Sequence, residues 1–245
     1  MSIASKSFRI IWRIIKIAAT LLVAGVCIFM LWRVLFSRNI PNELDKMSVN
    51  EGVYAVYADN GDIEYFRQDR LTMTSDGYFG APDCIFIPEA NQIQLVVRYN
   101  NSTIRALAEK YAISPVPDRT AELFDMTLVI QTDATPENKD DNAGNVEGTV
   151  NYLRCKAVAS EADERNLYNF RRLTFDLGEC GIDLNEVIEN QTLLAIYADF
   201  YYVEDINYDE RPYSTIFLYD YKRECKWDDL SSSEKKDFKA YGESK

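Results

Sequence analysis

Histidine is absent from this chain of 245 residues. Histidine is the usual general base at neutral pH, the usual partner of serine and cysteine nucleophiles, and the commonest protein ligand of zinc. Its absence leaves carboxylate, lysine, tyrosine and cysteine chemistry, and no recognisable catalytic motif combines these groups. The sequence therefore predicts a non-enzymatic protein with no catalytic residues, no metal site and no cofactor.

Acidic residues are absent before Asn39, whereas six basic residues lie there: Lys6, Arg9, Arg13, Lys16, Arg33 and Arg38. The remainder of the chain holds the other 21 basic residues and all 39 acidic ones, a formal charge of −18. Binding to nucleic acid depends on Lys and Arg that neutralise phosphates. The charge balance therefore argues against a nucleic-acid partner.

Charge is also absent between residues 17 and 32, the centre of an apolar segment that covers residues 14–36. As a helix this centre would span about 24 Å, and the long side chains of Lys16 and Arg33 can reach toward the head groups. The segment then matches a hydrocarbon core about 30 Å thick. The sequence predicts one transmembrane helix over residues 14–36, with the lipid bilayer as its surroundings.

A cleaved signal peptide is the alternative, because export signals also begin with basic residues and an apolar run. No small residues stand at cleavage-site spacing over residues 32–36, where the apolar run ends. Val26 precedes Cys27, where a lipid-attachment site would need Gly or Ala. We therefore expect an uncleaved signal anchor.

The basic residues that flank the apolar centre are distributed unequally. They are Lys6, Arg9, Arg13 and Lys16 before it and Arg33 directly after it. Because Lys and Arg near a span are retained on the cytoplasmic side, we expect a short cytoplasmic segment over residues 1–13 and an extracytoplasmic C-terminal part at the cell membrane. The rest of the chain is interpreted as a linker over residues 37–50, a β domain over residues 51–225 and a charged, partly helical tail over residues 226–245.

Apolar residues alternate with polar ones through much of the predicted β domain, which is the period of a half-buried strand. Three rows are clearest: Ile93, Leu95, Val97 and Tyr99; Phe124, Met126, Leu128 and Ile130; and Leu173, Phe175 and Leu177. About nine or ten such runs predict a mainly β fold in which two antiparallel sheets pack as a β-sandwich.

A hairpin is the clearest local unit in this pattern. Asn60 and Gly61 separate the runs 53–58 and 62–66, and an Asn-Gly pair tolerates the positive φ angles of a two-residue turn. The sequence therefore predicts two paired strands around this turn.

Short helices are predicted as insertions between strands. Ser102 is a candidate N-cap before apolar residues with helical spacing, and a second helix is expected near residues 162–170. Ser231 and Glu234 have the spacing of a capping box and predict a short C-terminal helix.

Five cysteines are present. Cys27 lies in the predicted span, and Cys84, Cys155, Cys180 and Cys225 form an even set with three alternative pairings. None has the C-x-x-C spacing of a redox or metal motif. Disulfides are expected if the compartment is oxidising, and buried free thiols are the alternative.

At the level of architecture, the pattern is similar to immunoglobulin-like sandwiches attached to one span. The Cys and Trp landmarks of antibody domains are missing, because Trp227 follows the last predicted strand and no other Trp lies beyond the span. Such a resemblance implies an architecture and no activity.

One connection late in the chain combines tyrosines with acidic residues. Tyrosine supplies broad, rigid contact area with a polar hydroxyl, so it recurs in recognition loops. The predicted partner-binding tip consists of Tyr201, Tyr202, Glu204, Asp205, Tyr208, Asp209, Glu210 and Tyr213. The alternative is a plain hairpin whose tyrosines alternate between core and solvent.

Two functional hypotheses follow from the sequence. In the first, the chain is a membrane-anchored binding module that contacts a cell-surface protein, a cell-wall polymer or a glycan. In the second, it is an accessory or regulatory subunit that packs against another membrane protein through Ala24, Gly25 and Thr20 of the span.

Overall fold

The computed structural model divides into two units, Met1–Asn39 and Ile40–Lys245. The described residues are 3–68, 70–117, 124–134, 149–164, 167–189, 193–202, 212, 214–218 and 223–245. The first unit is helix α1, Ile3–Arg38. Within it, Trp12–Trp32 is long and apolar enough to cross a membrane, because 21 helical residues extend about 32 Å. The prediction of one long apolar helix near the N-terminus is confirmed.

The second unit is built mainly from strands. They are β1 Tyr65–Arg67, β2 Thr72–Met73, β3 Phe79–Ile87, β4 Gln92–Asn100, β5 Phe124–Ala134, β6 Thr149–Lys156, β7 Ala159–Glu164, β8 Tyr168–Asp176, β9 Leu193–Tyr202, β10 Ser214–Phe217 and β11 Arg223–Cys225. The helices of this unit are α2 Glu51–Asn60, α3 Asn101–Lys110, α4 Leu184–Glu189 and α5 Ser232–Glu243, with 3-10 turns at Gly178–Cys180 and Trp227–Asp229.

These strands form two antiparallel sheets, as predicted. The large sheet has the order β11-β1-β3-β4-β8-β7, with β2 beside β3, and the small sheet has the order β10-β9-β5-β6. Each sheet contains two hairpins that lie side by side. They are β3–β4 and β7–β8 in the large sheet, and β5–β6 and β9–β10 in the small sheet.

The main core lies between the two sheets. All three apolar rows predicted from the alternation, those beginning at Ile93, Phe124 and Leu173, belong to it. The rings of Phe79 on β3 and Phe200 on β9 stack across the interface with centroids 4.3 Å apart. Period-two patterning therefore identified the core-facing positions of these strands.

The other face of the large sheet is covered as well. Residues 40–50, here called the strap, and helices α2 and α5 cover it, and we call these three segments together the helix layer. Met47 of the strap, Val53 of α2 and Phe238 of α5 are buried against Ile85 and Ile87 of β3. A sheet covered on both faces explains why β4 is buried along almost its whole length. The strap belongs to the segment predicted as a linker, and three of its residues, Pro41, Leu44 and Met47, are buried.

The predicted hairpin at Asn60-Gly61 is wrong, because residues 51–60 form α2. The side chain of Asn50 caps this helix by accepting a hydrogen bond from the Val53 amide at 3.1 Å. Gly61 ends it at φ +70°. A positive φ serves a helix C-terminus as well as a type I′ turn, so Asn-Gly does not distinguish the two.

The helix expected near residues 162–170 is also wrong. The described residues there belong to β7 and β8, which pair with Asp163 opposite Phe170. The pairing of β7 with β8 therefore overrides the local sequence pattern that predicted a helix. The helix predicted after Asn100 is confirmed as α3, although Asn100 rather than Ser102 is its N-cap. The C-terminal helix is confirmed as α5 with its Ser231–Glu234 capping box.

Cys155 of β6 and Cys180 form a disulfide, with Cα atoms 5.6 Å apart. Cys84 and Cys225 are buried free thiols, and Cys27 is an exposed thiol on α1. The outer cysteines therefore combine both expectations, one disulfide and two buried thiols. Cys84 lies between the two sheets, whereas Cys225 lies under the helix layer.

Candidate binding surface

The predicted tip lies mostly outside the described residues. Its members Glu204, Asp205, Tyr208, Asp209, Glu210 and Tyr213 are among the residues that the structure leaves undescribed. Tyr201 and Tyr202 are the last residues of β9, and Tyr201 is buried. The tip as a contact surface stays a prediction.

The same strands, β9 and β10, carry other aromatic residues on the outer face of the small sheet. Ile196, Ala198 and Ile216 face the core, so the residues between them face outward. The outer face is defined here by Tyr152, Arg154, Tyr197, Asp199, Thr215 and Phe217. Thr127, Val129 and Asp199 are buried at the centre of this face, whereas Tyr152, Arg154 and Phe217 on the flanking strands are exposed.

Strand register brings the aromatic residues of this face together. Phe217 lies opposite Tyr197, which lies opposite Val129, which lies opposite Arg154. The Tyr197 and Phe217 rings have centroids 5.6 Å apart at 50°. Tyr152 and Phe217 are each 52% exposed, which is high for such large side chains and makes them available for contact.

A polar row runs beside the aromatic one. Thr215 lies opposite Asp199, and the Thr215 hydroxyl donates a hydrogen bond of 2.6 Å to the Asp199 carboxylate. Asp199 is only 6% exposed. Burial raises the pKa of Asp199, and the Thr215 hydroxyl and the charge of Arg154 partly oppose that rise. Burial and the nearby Asp199 charge also raise the pKa of Tyr197.

This arrangement gives the outer face groups that can contact a ligand. It offers ring surfaces, a guanidinium donor and a carboxylate acceptor on one face of a sheet, and a rigid sheet holds them in place. Among the described residues, no group of three or more Cys, Asp or Glu side chains could hold a metal ion.

The predicted membrane-flanking residues all lie in α1: Lys6, Arg9, Arg13, Lys16 and Arg33. Arg13 and Lys16 are exposed, and the Lys16 ammonium lies 5.7 Å from the centre of the Trp12 ring. The apolar stretch begins at Trp12 and ends at Trp32, close to the predicted span over residues 14–36.

Sequence reasoning did not identify the outer face as a candidate. The dense Tyr and Phe content of the last strands was visible, but Tyr152 joins Tyr197 and Phe217 only because β5 pairs with both β6 and β9. Alternation shows that residues share a face of one strand, and it does not show which strands are neighbours.

No protein-family model, no curated protein and no solved structure matches this chain. Its function must therefore be inferred from the chemistry of its own residues.

Proposed function

We propose that the protein is a single-pass, membrane-anchored and non-enzymatic binding module whose β unit lies on the extracytoplasmic side. The apolar stretch of α1 supports the anchor. The four basic residues before the uncharged centre of that stretch support a cytoplasmic N-terminus. The immunoglobulin-like sandwich stays a prediction of architecture, supported by two packed antiparallel sheets.

The outer face of the small sheet is the proposed contact surface, and a saccharide chain is its proposed ligand. A sugar ring has C–H groups on its faces and hydroxyls at its edges, so it stacks on aromatic rings and bonds to charged groups beside them. Tyr152 and Phe217 offer half-exposed rings, Arg154 offers an exposed guanidinium donor, and Asp199 is buried beside them with its carboxylate bonded to the Thr215 hydroxyl. The observation that carries the proposal is the strand register, which pairs Phe217 with Tyr197 and places Arg154 in the same row, across Val129 of β5.

Membrane attachment is tested by fractionation of intact cells. We expect the full chain to stay with membranes through high-salt and alkaline washes, and external protease to cut it beyond residue 39. Recovery of a soluble chain without its first forty or so residues, or a β unit that external protease cannot reach, would contradict the proposal.

Ligand binding is tested on a panel of soluble oligosaccharides and purified cell-wall polysaccharides. The double variant Tyr152→Ala, Phe217→Ala should lose most of the affinity of the wild type for its best saccharide. The matched control is Leu71→Ala, Met73→Ala, which removes two exposed apolar side chains near the large sheet. The proposed ligand would be wrong if the wild type bound no saccharide and instead captured a protein that the double variant does not capture. The ligand of the outer face would then be a protein.

The accessory-subunit hypothesis is the second candidate. Gly25 leaves an open notch on α1, because a Cβ there would meet no atom within 4 Å, and such notches permit close helix packing. Thr20 contributes less, because its hydroxyl donates to the Lys16 carbonyl of the same helix at 2.9 Å. Purification in mild detergent distinguishes the two candidates. A stoichiometric membrane-protein partner that is lost in Gly25→Leu would favour the subunit.

A further inference from the structure

The strap is held to the large sheet by side chains that bond to its backbone. Arg172 of β8 donates to the carbonyls of Glu43 and Lys46, at 3.0 and 2.8 Å. Arg67 of β1 donates to the carbonyl of Asp45 at 2.8 Å. The strap is therefore fixed at several points along its length.

Gln94 of β4 adds a two-way contact to this attachment. Its amide group donates to the Ser48 carbonyl at 2.8 Å, and its carbonyl accepts from the Ser48 amide at 2.7 Å. This reproduces the pairing of a neighbouring strand. Three different strands of the large sheet thus hold one short segment.

Helix α5 is attached to the same segment. The Glu234 carboxylate accepts from the Met47 amide at 3.1 Å with one oxygen, and from the Ser231 amide at 2.8 Å with the other. Glu234 is 5% exposed and completes the capping box of α5. One buried carboxylate therefore both begins α5 and binds the strap. Lys46 adds an ion pair with Asp237 at 3.3 Å.

The apolar support of the helix layer is sparse. The buried apolar side chains of this layer are Val53 of α2, Phe238 of α5, and Pro41, Leu44 and Met47 of the strap. Segments with few buried apolar contacts open at lower free energy than a core does. Because the strap and α5 share Glu234, loss of the strap removes a partner on which α5 depends.

We propose that the strap is a latch: its displacement from the large sheet releases α5 at the same time and uncovers β11 with Cys225. In sequence only Asn39 separates the strap from α1. The released layer would bare the apolar face formed by Tyr65, Ile85 and Ile87.

The two buried thiols report on this opening from opposite faces of the large sheet. Opening of the helix layer exposes Cys225 and leaves Cys84 covered by the small sheet. The experiment uses the full chain in detergent micelles, with the disulfide intact and Cys27→Ser to silence the thiol of α1. Maleimide labelling at Cys225 and Cys84 and hydrogen exchange of the α5 amides are followed together.

Leu44→Ala is the decisive variant, because Leu44 packs with Val96 and Phe170 in a cluster that contains no residue of α5. We expect labelling of Cys225 and exchange of α5 to rise together by about tenfold or more, with Cys84 still protected. The matched control is Leu173→Ala, since Leu173 has the same 4% exposure but packs between the sheets. Leu173→Ala should raise the labelling of Cys225 and of Cys84 by similar factors.

A rise at Cys225 without faster α5 exchange, an equal rise at both thiols, or no rise in Leu44→Ala would overturn the latch. Native-state hydrogen exchange of the protein without the Leu44 substitution provides a second measurement. The amides of Met47 and Ser48 and those of α5 should exchange through one opening with a shared denaturant dependence. Two openings with different dependences would also overturn it.

Discussion

The two faces of the large sheet are buried in different ways. Toward the small sheet, the core consists of rows of apolar residues from entire strands, with Phe79, Phe124 and Phe200 in mutual ring contact. Toward the helix layer, a few apolar side chains are buried, and hydrogen bonds from side chains such as Glu234 and Arg172 add to the attachment. Burial alone therefore does not show how firmly a segment is held.

Aromatic packing in the helix layer concentrates on one side chain. The Phe238 ring makes T-shaped contacts with Tyr57 and Trp227, with both centroid distances 5.2 Å, while Tyr57 and Trp227 stack at 4.2 Å. Between the sheets, in contrast, the ring contacts of Phe79 are shared by strands of both sheets. We expect the layer to open as a local unit and the sheets to separate only on global unfolding.

The largest expected effect contrasts two phenylalanines, Phe79 and Phe238, that are each 0% exposed. Phe79→Ala should lower the free energy of global unfolding by about 3–5 kcal/mol, because it leaves a cavity between the sheets. Phe238→Ala should cost less globally, since its loss cannot exceed the free energy that docks α5. Chemical denaturation and thiol labelling measure the two effects.

Phe238→Ala should also expose Cys225 while Cys84 stays protected. Equal losses of stability in the two variants, with both thiols labelled, would mean that the helix layer and the sheets form one cooperative core.

The contrast between the two faces also explains what the sequence predicted well. Period-two rows such as the one from Ile93 to Tyr99 predicted the inter-sheet core, because alternation directly reflects a face buried along a whole strand. Helix α2 was missed, because Val53 is its one fully buried side chain and its apolar pattern is weak. Its formation depends on the Asn50 cap and on docking, which alternation does not report.

The outer face of the small sheet was not predicted from the sequence, for a related reason. The aromatic content of β9 was visible in the sequence, but the residues chosen for the tip fall mainly outside the described part of the chain. The aromatic and charged side chains of the outer face are brought together by register across β6, β5, β9 and β10. Register is set by tertiary pairing, and no local motif encodes it.

A smaller change in stability is expected from substitutions at two glycines of the helix layer, Gly242 and Gly52. A Cβ on Gly242 of α5 would clash with the Tyr54 hydroxyl oxygen and lie 2.8 Å from the adjacent ring carbon, so either the Tyr54 side chain or one of the two helices must shift. We expect Gly242→Ala to weaken docking of α5 by about 1 kcal/mol, after the gain in helix propensity is subtracted. Exchange of the α5 amides and labelling of Cys225 should both increase.

Gly52→Ala in α2 is the matched control. Its Cβ would meet the Asn50 side chain at 3.7 Å, an ordinary contact, so the substitution should be neutral or stabilising by up to about 1 kcal/mol. Destabilisation by Gly52→Ala that equals the effect of Gly242→Ala would show that α2 and α5 are not packed as described.

The smallest expected effect concerns the outer face of the small sheet, where Asp199 has a hydroxyl partner in Thr215. Burial raises the pKa of Asp199 above its ordinary value. In the window between the ordinary and the raised pKa, the folded state binds more protons than the unfolded chain, so the free energy of unfolding falls as pH rises. Asp199→Asn removes this titration and should therefore gain stability relative to the wild type as pH rises through that window.

Thr215→Val provides the opposite perturbation, because the Thr215 hydroxyl lowers the pKa of Asp199 by bonding to its charged form. Without this donor the pKa should rise further, and the decline of stability toward neutral pH should steepen. Denaturation at several pH values measures all three proteins. Parallel pH profiles would mean that Asp199 is solvated in the folded state, and the outer face would then lose the buried acceptor that distinguishes it from an ordinary exposed sheet surface.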